Sequence, residues 1–327
     1  MRRPSNSGTF STATATACSL REGVTRREVL AVLAFGAVRA SGALPPTGAP
    51  EARTTPLIRK IPSTGEQLPV IGLGSWITFN VGDDVAARNQ CTEVVRAFVS
   101  AGGRVIDSSP MYGSSQETIG YALGKLAHPN VFSADKVWTS SQGAGQIEES
   151  RRHWGVPRFD LLQVHNLLGW DDHLPLLFSM KKAGHLRYVG VTTSHGRRLE
   201  ELEQIMRKEP LDFIQLTYNP IEREPEQRIL PLAMQRRIAV IINRPFNQGE
   251  LLDDLASHPL PNWARDVDAR SWAQLILKFI ITHPAVTCVI PATSVPSHAR
   301  ENVDAARGRM PDAAMRKRIA DTIASLV

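Results

Sequence analysis

The sequence predicts a (β/α)8 barrel, the TIM-barrel class of α/β fold, with an N-terminal β-hairpin and an extra C-terminal helix. Three observations predict it. Eight short apolar runs rich in Val, Ile, Leu and Phe lie at 72–76, 104–107, 131–135, 160–164, 187–191, 212–216, 238–242 and 286–290. Runs of this length read as strands buried on both faces of a parallel sheet. Amphipathic segments of helical spacing separate them. No G-x-G-x-x-G follows the first strand: Gly72-Leu73-Gly74-Ser75-Trp76 lacks the third glycine and starts no helix, which argues against a doubly wound open sheet, the runner-up.

Taken in order, Leu57–Ile61, the turn Ser63-Thr64-Gly65-Glu66 and Gln67–Ile71 read as the hairpin. The first amphipathic segment, 87–101, turns Val94, Val95, Ala97 and Phe98 inward. The others cover 115–126, 146–154, 173–183, 197–208, 225–236, 269–282 and 297–306. Such an alternation fits one barrel of about 250 residues. A last helical segment at 311–326 is expected to pack outside. The division is therefore a leader, 1–55, and a single barrel, 56–327.

The composition, 42% hydrophobic and 21% charged over 327 residues, permits a large core without staples. Residues 1–43 hold six arginines and two glutamates, four of the six net positive charges, so the basic character belongs largely to the leader. No basic stripe with interleaved aromatics exists, which excludes nucleic acid as the expected partner. Cys18 sits in the leader. Cys91 and Cys288 fall in a predicted helix and a predicted strand and read as unpaired core thiols, a disulfide being the alternative. Nine scattered histidines without HExxH or CxxC spacing predict no metal site.

Within the leader, Thr25-Arg26-Arg27-Glu28-Val29-Leu30 precedes the apolar run Ala31–Val38 and the small residues Ala40-Ser41-Gly42-Ala43. This resembles a twin-arginine export signal, which implies the export machinery as a partner and a periplasmic destination. The apolar run is too short for stable membrane insertion. The alternative is an N-terminal extension on a cytoplasmic protein.

Functional groups of such barrels stand where strands end. Asp107 ends the second strand and Tyr112 follows in the loop; Lys136 ends the third; His165 ends the fourth. Reducing a carbonyl places negative charge on its oxygen as hydride reaches carbon, so a proton must be supplied. A tyrosine does so more readily beside a lysine cation, which favours the phenolate and lowers its pKa from about 10. An aspartate holds the ammonium, and a histidine orients the carbonyl oxygen.

These motifs resemble the aldo-keto reductase family over residues 57–310. Asp107 with Tyr112-Gly113, Lys136 in Val131–Trp138, and Asp160-Leu161-Leu162-Gln163-Val164-His165 stand in family order. The resemblance implies an NADPH-dependent reductase of a small carbonyl substrate, NADH being possible. It also implies catalytic roles for Asp107, Tyr112, Lys136 and His165. Thr192 and Thr193 stand where the family holds the nicotinamide carboxamide with Ser and Asn, and Gln215 matches a glutamine serving the same group. Asn243 and Arg244 stand where many members place an aromatic against the nicotinamide. Ala292, Thr293, Ser294, His298, Arg300 and Asn302 resemble the cofactor-phosphate segment, with His298 and Arg300 the candidates for the 2′-phosphate. Asp135 replaces the usual Thr before the lysine. A second register would align Trp138-Thr139-Ser140 there and put Ser140 at the lysine site; the better strand at Val131–Ala134 favours Lys136. A barrel that binds a nicotinamide cofactor or small ligand without turnover is the alternative function, and an unrelated barrel lyase or isomerase a third.

Overall fold

The computed structural model describes residues 55–327; the leader and its twin-arginine-like motif lie outside the described residues. Strands β1 (Ile58–Lys60) and β2 (Gln67–Pro69) pair antiparallel, Ile58 opposite Pro69. The alternation then runs β3 (Leu73–Gly74), α1 (Val85–Ser100), β4 (Val105–Asp107), α2 (Ser115–Lys125), β5 (Phe132–Val137), α3 (Gly143–Trp154), β6 (Phe159–Val164), α4 (Trp170–Lys182), β7 (Leu186–Thr192) and α5 (Leu199–Lys208). It continues through β8 (Phe213–Thr217), α6 (Ile229–Arg236), β9 (Ala239–Asn243), α7 (Glu250–Leu255), α8 (Trp272–Ile281), β10 (Val286–Val289), α9 (Pro296–Asp304) and α10 (Ala313–Ala324).

Strands β3 to β10 pair in chain order, all parallel, as the (β/α)8 reading requires. The ring closes where Gly72 N donates to Val289 O at 2.8 Å and Gly74 N to Pro291 O at 3.1 Å. A Cβ on Gly74 would stand 2.8 Å from Ile290 O. Glycine is there because the first and last strands approach too closely for a side chain.

Period-two alternation sends every second strand residue inward. Val105, Phe132, Leu161, Tyr188, Phe213 and Ile241 pack together inside the barrel, with Ile61 and Leu68 of the hairpin in the same cluster. The outward residues meet the apolar faces of the helices in a second, larger core. Helix α10 packs on α8, where Arg316 Nε donates to Phe279 O at 3.1 Å. Cys91 and Cys288 are buried and unpaired. Among the described residues no helix is long and apolar enough to cross a membrane.

The elements depart from the sequence reading mostly at their ends. Strand β3 keeps two residues of the expected 72–76, because Ser75 turns away to donate its hydroxyl to Asp107 O at 2.9 Å. Helix α6 starts at Ile229 rather than 225, since Glu224–Glu226 forms a separate 3-10 turn around Pro225. Helix α8 starts at Trp272 rather than 269, where the Ser271 hydroxyl caps Gln274 N. Helix α7 and the 3-10 segment Asn262–Val267 were not expected; six residues are too few to show a 3.6 period.

Candidate active site

The inward alternation continues above the apolar cluster, and there it carries polar groups. Asp107, Lys136, Gln163 and Gln215 are all buried near the ends of β4, β5, β6 and β8. Lys136 Nζ donates to Asp107 Oδ2 at 2.5 Å and to Ser108 O at 2.7 Å. Gln215 Nε2 donates to the other carboxylate oxygen at 2.9 Å. A charge pair with no exposure of the lysine is costly to bury, so each partner depends on the other. Lys136 is thus the lysine paired with Asp107, while Ser140 lies exposed in the following loop.

Tyr112 is carried by the 3-10 turn Pro110–Tyr112. The Ser109 hydroxyl accepts from Met111 N at 3.2 Å, and Ser109 O accepts from Tyr112 N at 2.9 Å. Gly113 follows with φ 59°, and a Cβ there would fall 2.3 Å from Asn80 Oδ1, so the glycine after Tyr112 is a backbone requirement. Lys136 Nζ lies 5.1 Å from the Tyr112 ring centroid, and the His165 ring meets that ring edge-on at 5.6 Å.

The electrostatics differ in one respect from the sequence expectation. Burial raises the Tyr112 pKa above its ordinary value; Lys136 lowers it, Asp107 and Asp135 raise it, and the net direction is up. The lysine's pull is present but outweighed. Burial works against the Lys136 charge, yet Asp107 and Tyr112 hold its pKa above the ordinary value. Burial, then the Lys136 charge, push His165 down to about 2. The resting site thus holds a protonated phenol, an ammonium and a neutral imidazole. Asp135 points outward from β5, accepts from Gln116 Nε2 at 2.7 Å, and is raised by burial to about 7.

A cavity of about 570 Å³ opens over these groups. Asp107, Tyr112, His165, Thr192, Gln215, Asn243, Arg244, Ala292, Thr293, His298 and Asn302 line it. Lys136 lies beneath, out of the lining. Thr193 is buried behind the wall, and Ser294 and Arg300 are exposed outside the lining. Gln215 spends its amide N–H on Asp107, and Asn243 Nδ2 donates to Thr193 O at 2.9 Å.

Two observations bear on a phosphate-bearing cofactor. Arg244 lies on the cavity wall beside His195 and Asn247, its Nε is buried without a hydrogen-bond partner, and no carboxylate among the described residues forms an ion pair with it. Thr193 Oγ1 is likewise buried without a partner. A guanidinium on the cavity wall with an unpartnered Nε suits a phosphate.

The site also contains residues that no motif signalled. Ser75, Asn166, Ser194, His195, Phe246 and Glu301 line the cavity because the loops fold over it. Ser109 reaches His165 across 56 positions of sequence, a contact without local signature.

Residues 70–319 match the Aldo/keto reductase family. The chain is 26% identical over 244 residues to a methylglyoxal reductase of Escherichia coli strain K12, covering 72% of this chain and 84% of that protein. It is 27% identical over 248 residues to a glyoxal reductase of Bacillus subtilis strain 168, covering 73% and 84%. An aldo/keto reductase from Klebsiella pneumoniae, solved in complex with NADP and acetate, superposes with a TM-score of 0.67 at 25% identity over 79% of this chain and 92% of that one. The fold and site define a barrel oxidoreductase. The chain belongs to the aldo/keto reductase family.

Proposed function

We propose that the protein reduces a small aldehyde or ketone to the alcohol with NADPH, and that Tyr112 gives the proton. The observation carrying this reading is the buried Lys136–Asp107 pair set 5.1 Å below the Tyr112 ring. When bound, the nicotinamide supplies the hydride. Thr192, Gln215 and Asn243 would hold its carboxamide end, with Thr193 behind them. Arg244, Ala292, Thr293, Ser294, His298, Arg300 and Asn302 would hold the phosphates and adenosine.

In this reading His165 holds the substrate oxygen by a hydrogen bond, and the Tyr112 hydroxyl releases its proton to that oxygen as charge builds there. The phenolate left behind is stabilised by the Lys136 ammonium, which Asp107 keeps in place. Trp76, Ile77 and Met111 give the cavity mouth an apolar wall, which supports a substrate with an apolar substituent. Accordingly, Trp76→Ala is expected to raise KM for an aromatic aldehyde more than for methylglyoxal in steady-state assays; equal changes would remove Trp76 from substrate recognition.

The reading is tested with the purified full chain, titrated with NADPH and then supplied with aldehydes, methylglyoxal and ketones. Cofactor binding followed by NADPH oxidation is expected. Binding without turnover across the panel would make this the silent barrel instead, and no binding of either nicotinamide cofactor would leave the lyase or isomerase reading.

We also propose export by the twin-arginine route, supported by the Arg26-Arg27 motif and the small residues after the apolar run. Fractionation with both arginines changed to lysine is expected to retain the protein in the cytoplasm; an unchanged distribution would contradict the export reading.

A further inference from the structure

We infer that Ser109 is a positioning residue that fixes the tautomer of His165, so that the imidazole meets substrate with a proton on Nε2. The inference rests on the reductase reading only for its kinetic consequence; the tautomer itself follows from the balance of hydrogen-bond donors and acceptors.

Ser109 is fully buried, and its hydroxyl oxygen lies 2.7 Å from His165 Nδ1. The same oxygen accepts from Met111 N at 3.2 Å. A hydroxyl has one hydrogen to give and two lone pairs with which to accept. His165 Nδ1 is the acceptor within reach of that hydrogen. If Nδ1 carried the proton instead, the oxygen would accept twice and the Ser109 hydrogen would be left as a buried donor without a partner, which folded proteins avoid. This balance places the Ser109 hydrogen on the Ser109–His165 bond, leaves Nδ1 bare, and puts the ring proton on Nε2. His165 lines the cavity, so Nε2–H is the group it can offer to a carbonyl oxygen. A ring protonated on Nδ1 would present a lone pair there and repel that oxygen.

Ser109 does a second thing from the same place. Its oxygens cap Met111 N and Tyr112 N, holding the turn that carries the phenol. Ser109 thus ties the turn that carries the proton donor to the oxygen-orienting ring, although 56 positions separate it from His165. Neither Ser109 atom is placed to touch substrate; the residue works through its two neighbours.

The test is long-range proton–nitrogen NMR on the full chain labelled with ¹⁵N-histidine, His165 being assigned by the signal lost in His165→Gln. The expected spectrum shows His165 protonated on Nε2 with a hydrogen-bonded, bare Nδ1. In Ser109→Ala the Nδ1 signal is expected to shift toward that of an unbonded ring nitrogen, and in Ser109→Thr to stay. A wild-type ring protonated on Nδ1 overturns the inference, as does an Nδ1 signal unmoved in Ser109→Ala. If Ser109→Ala does not fold, the wild-type spectrum still decides. With turnover as readout, Ser109→Ala is expected to lower kcat about tenfold, less than loss of an oxyanion donor outright, with KM for NADPH unchanged and Ser109→Thr restoring the rate. Equal loss in both variants would assign Ser109 a packing role. A chain with no reductase activity would remove the proposed function and leave the tautomer result standing.

Discussion

Tyr112 keeps its proton in the resting site, because burial and two nearby carboxylates outweigh the pull of Lys136. A proton donor must hold a proton, so this direction suits the proposed role; in that mechanism the lysine contributes as the phenolate forms. The expected kcat for reduction is therefore level through neutrality and declines only above pH ~10 as the phenol ionises. His165, at about 2, adds no limb near neutrality. A steady-state profile with a limb between pH 6 and 7, on the order of an unperturbed histidine, would contradict this assignment. Asp135 gives a separate effect. Its folded pKa of about 7 is raised above the ordinary 3.8, so between those values the native state binds a proton that the unfolded chain has lost. Stability from this group is present below pH 3.8 and is lost as pH rises toward 7. Asp135→Asn keeps an oxygen for Lys136 N, and Gln116 can turn its own oxygen toward the new amide. That variant is expected to melt higher than wild type above pH 7 and to show a flatter dependence of Tm on pH; a lower Tm throughout would reverse the sign. At this scale Asp107, Tyr112 and His165 were legible from their order along the chain. The Ser109 contact and the Gln215 bond to Asp107 were not, since both join residues far apart in sequence.

Among the elements, the strands carry the clearest signal. A strand buried on both faces must be apolar throughout, and runs such as 238–242 and 286–290 therefore stand out in the sequence alone. Above Val105, Phe132, Leu161 and Phe213, the same alternation turns Asp107, Lys136, His165 and Gln215 inward, with all but Lys136 reaching the cavity lining. Glycines of the first strand are legible only in part: the sequence shows that they make no dinucleotide loop, while their role in closing the ring depends on a contact with a strand more than 200 positions away. Gly74→Ala forces a Cβ to within 2.8 Å of a backbone carbonyl that has no room to move. Overpacking of this kind costs about 1–3 kcal/mol. Urea unfolding is expected to show an unfolding free energy lower by that amount, seen as a lower midpoint at unchanged slope; an unchanged midpoint would show that β3 and β10 part freely. Helix α7 escapes the sequence reading because so short a segment shows no period, yet it adjoins the loop at Phe246 and Arg244 that walls the cleft.

For the molecule as a whole, eight parallel strands act as a ring that collects residues from 74 to 302 around one cavity. The fold is legible because strands and helices alternate after the hairpin, save for the extra helices, α7 before α8 and α10 after α9. The proposed chemistry is legible because Asp107, Lys136 and His165 stand at the ends of three successive strands, with Tyr112 on the turn after the first of them. The substrate is not, since loop residues such as Ile77 and Asn166 acquire meaning only once the loops meet. The proposed chemistry turns on one proton. The direct measurement is kcat for NADPH-dependent reduction of an aldehyde by the full chain and by Tyr112→Phe, with NADPH affinity measured on both. The predicted result is a loss of about 10²–10⁴-fold in kcat at unchanged cofactor affinity. A Tyr112→Phe protein that binds NADPH and reduces the aldehyde at the wild-type rate would contradict the role given to Tyr112.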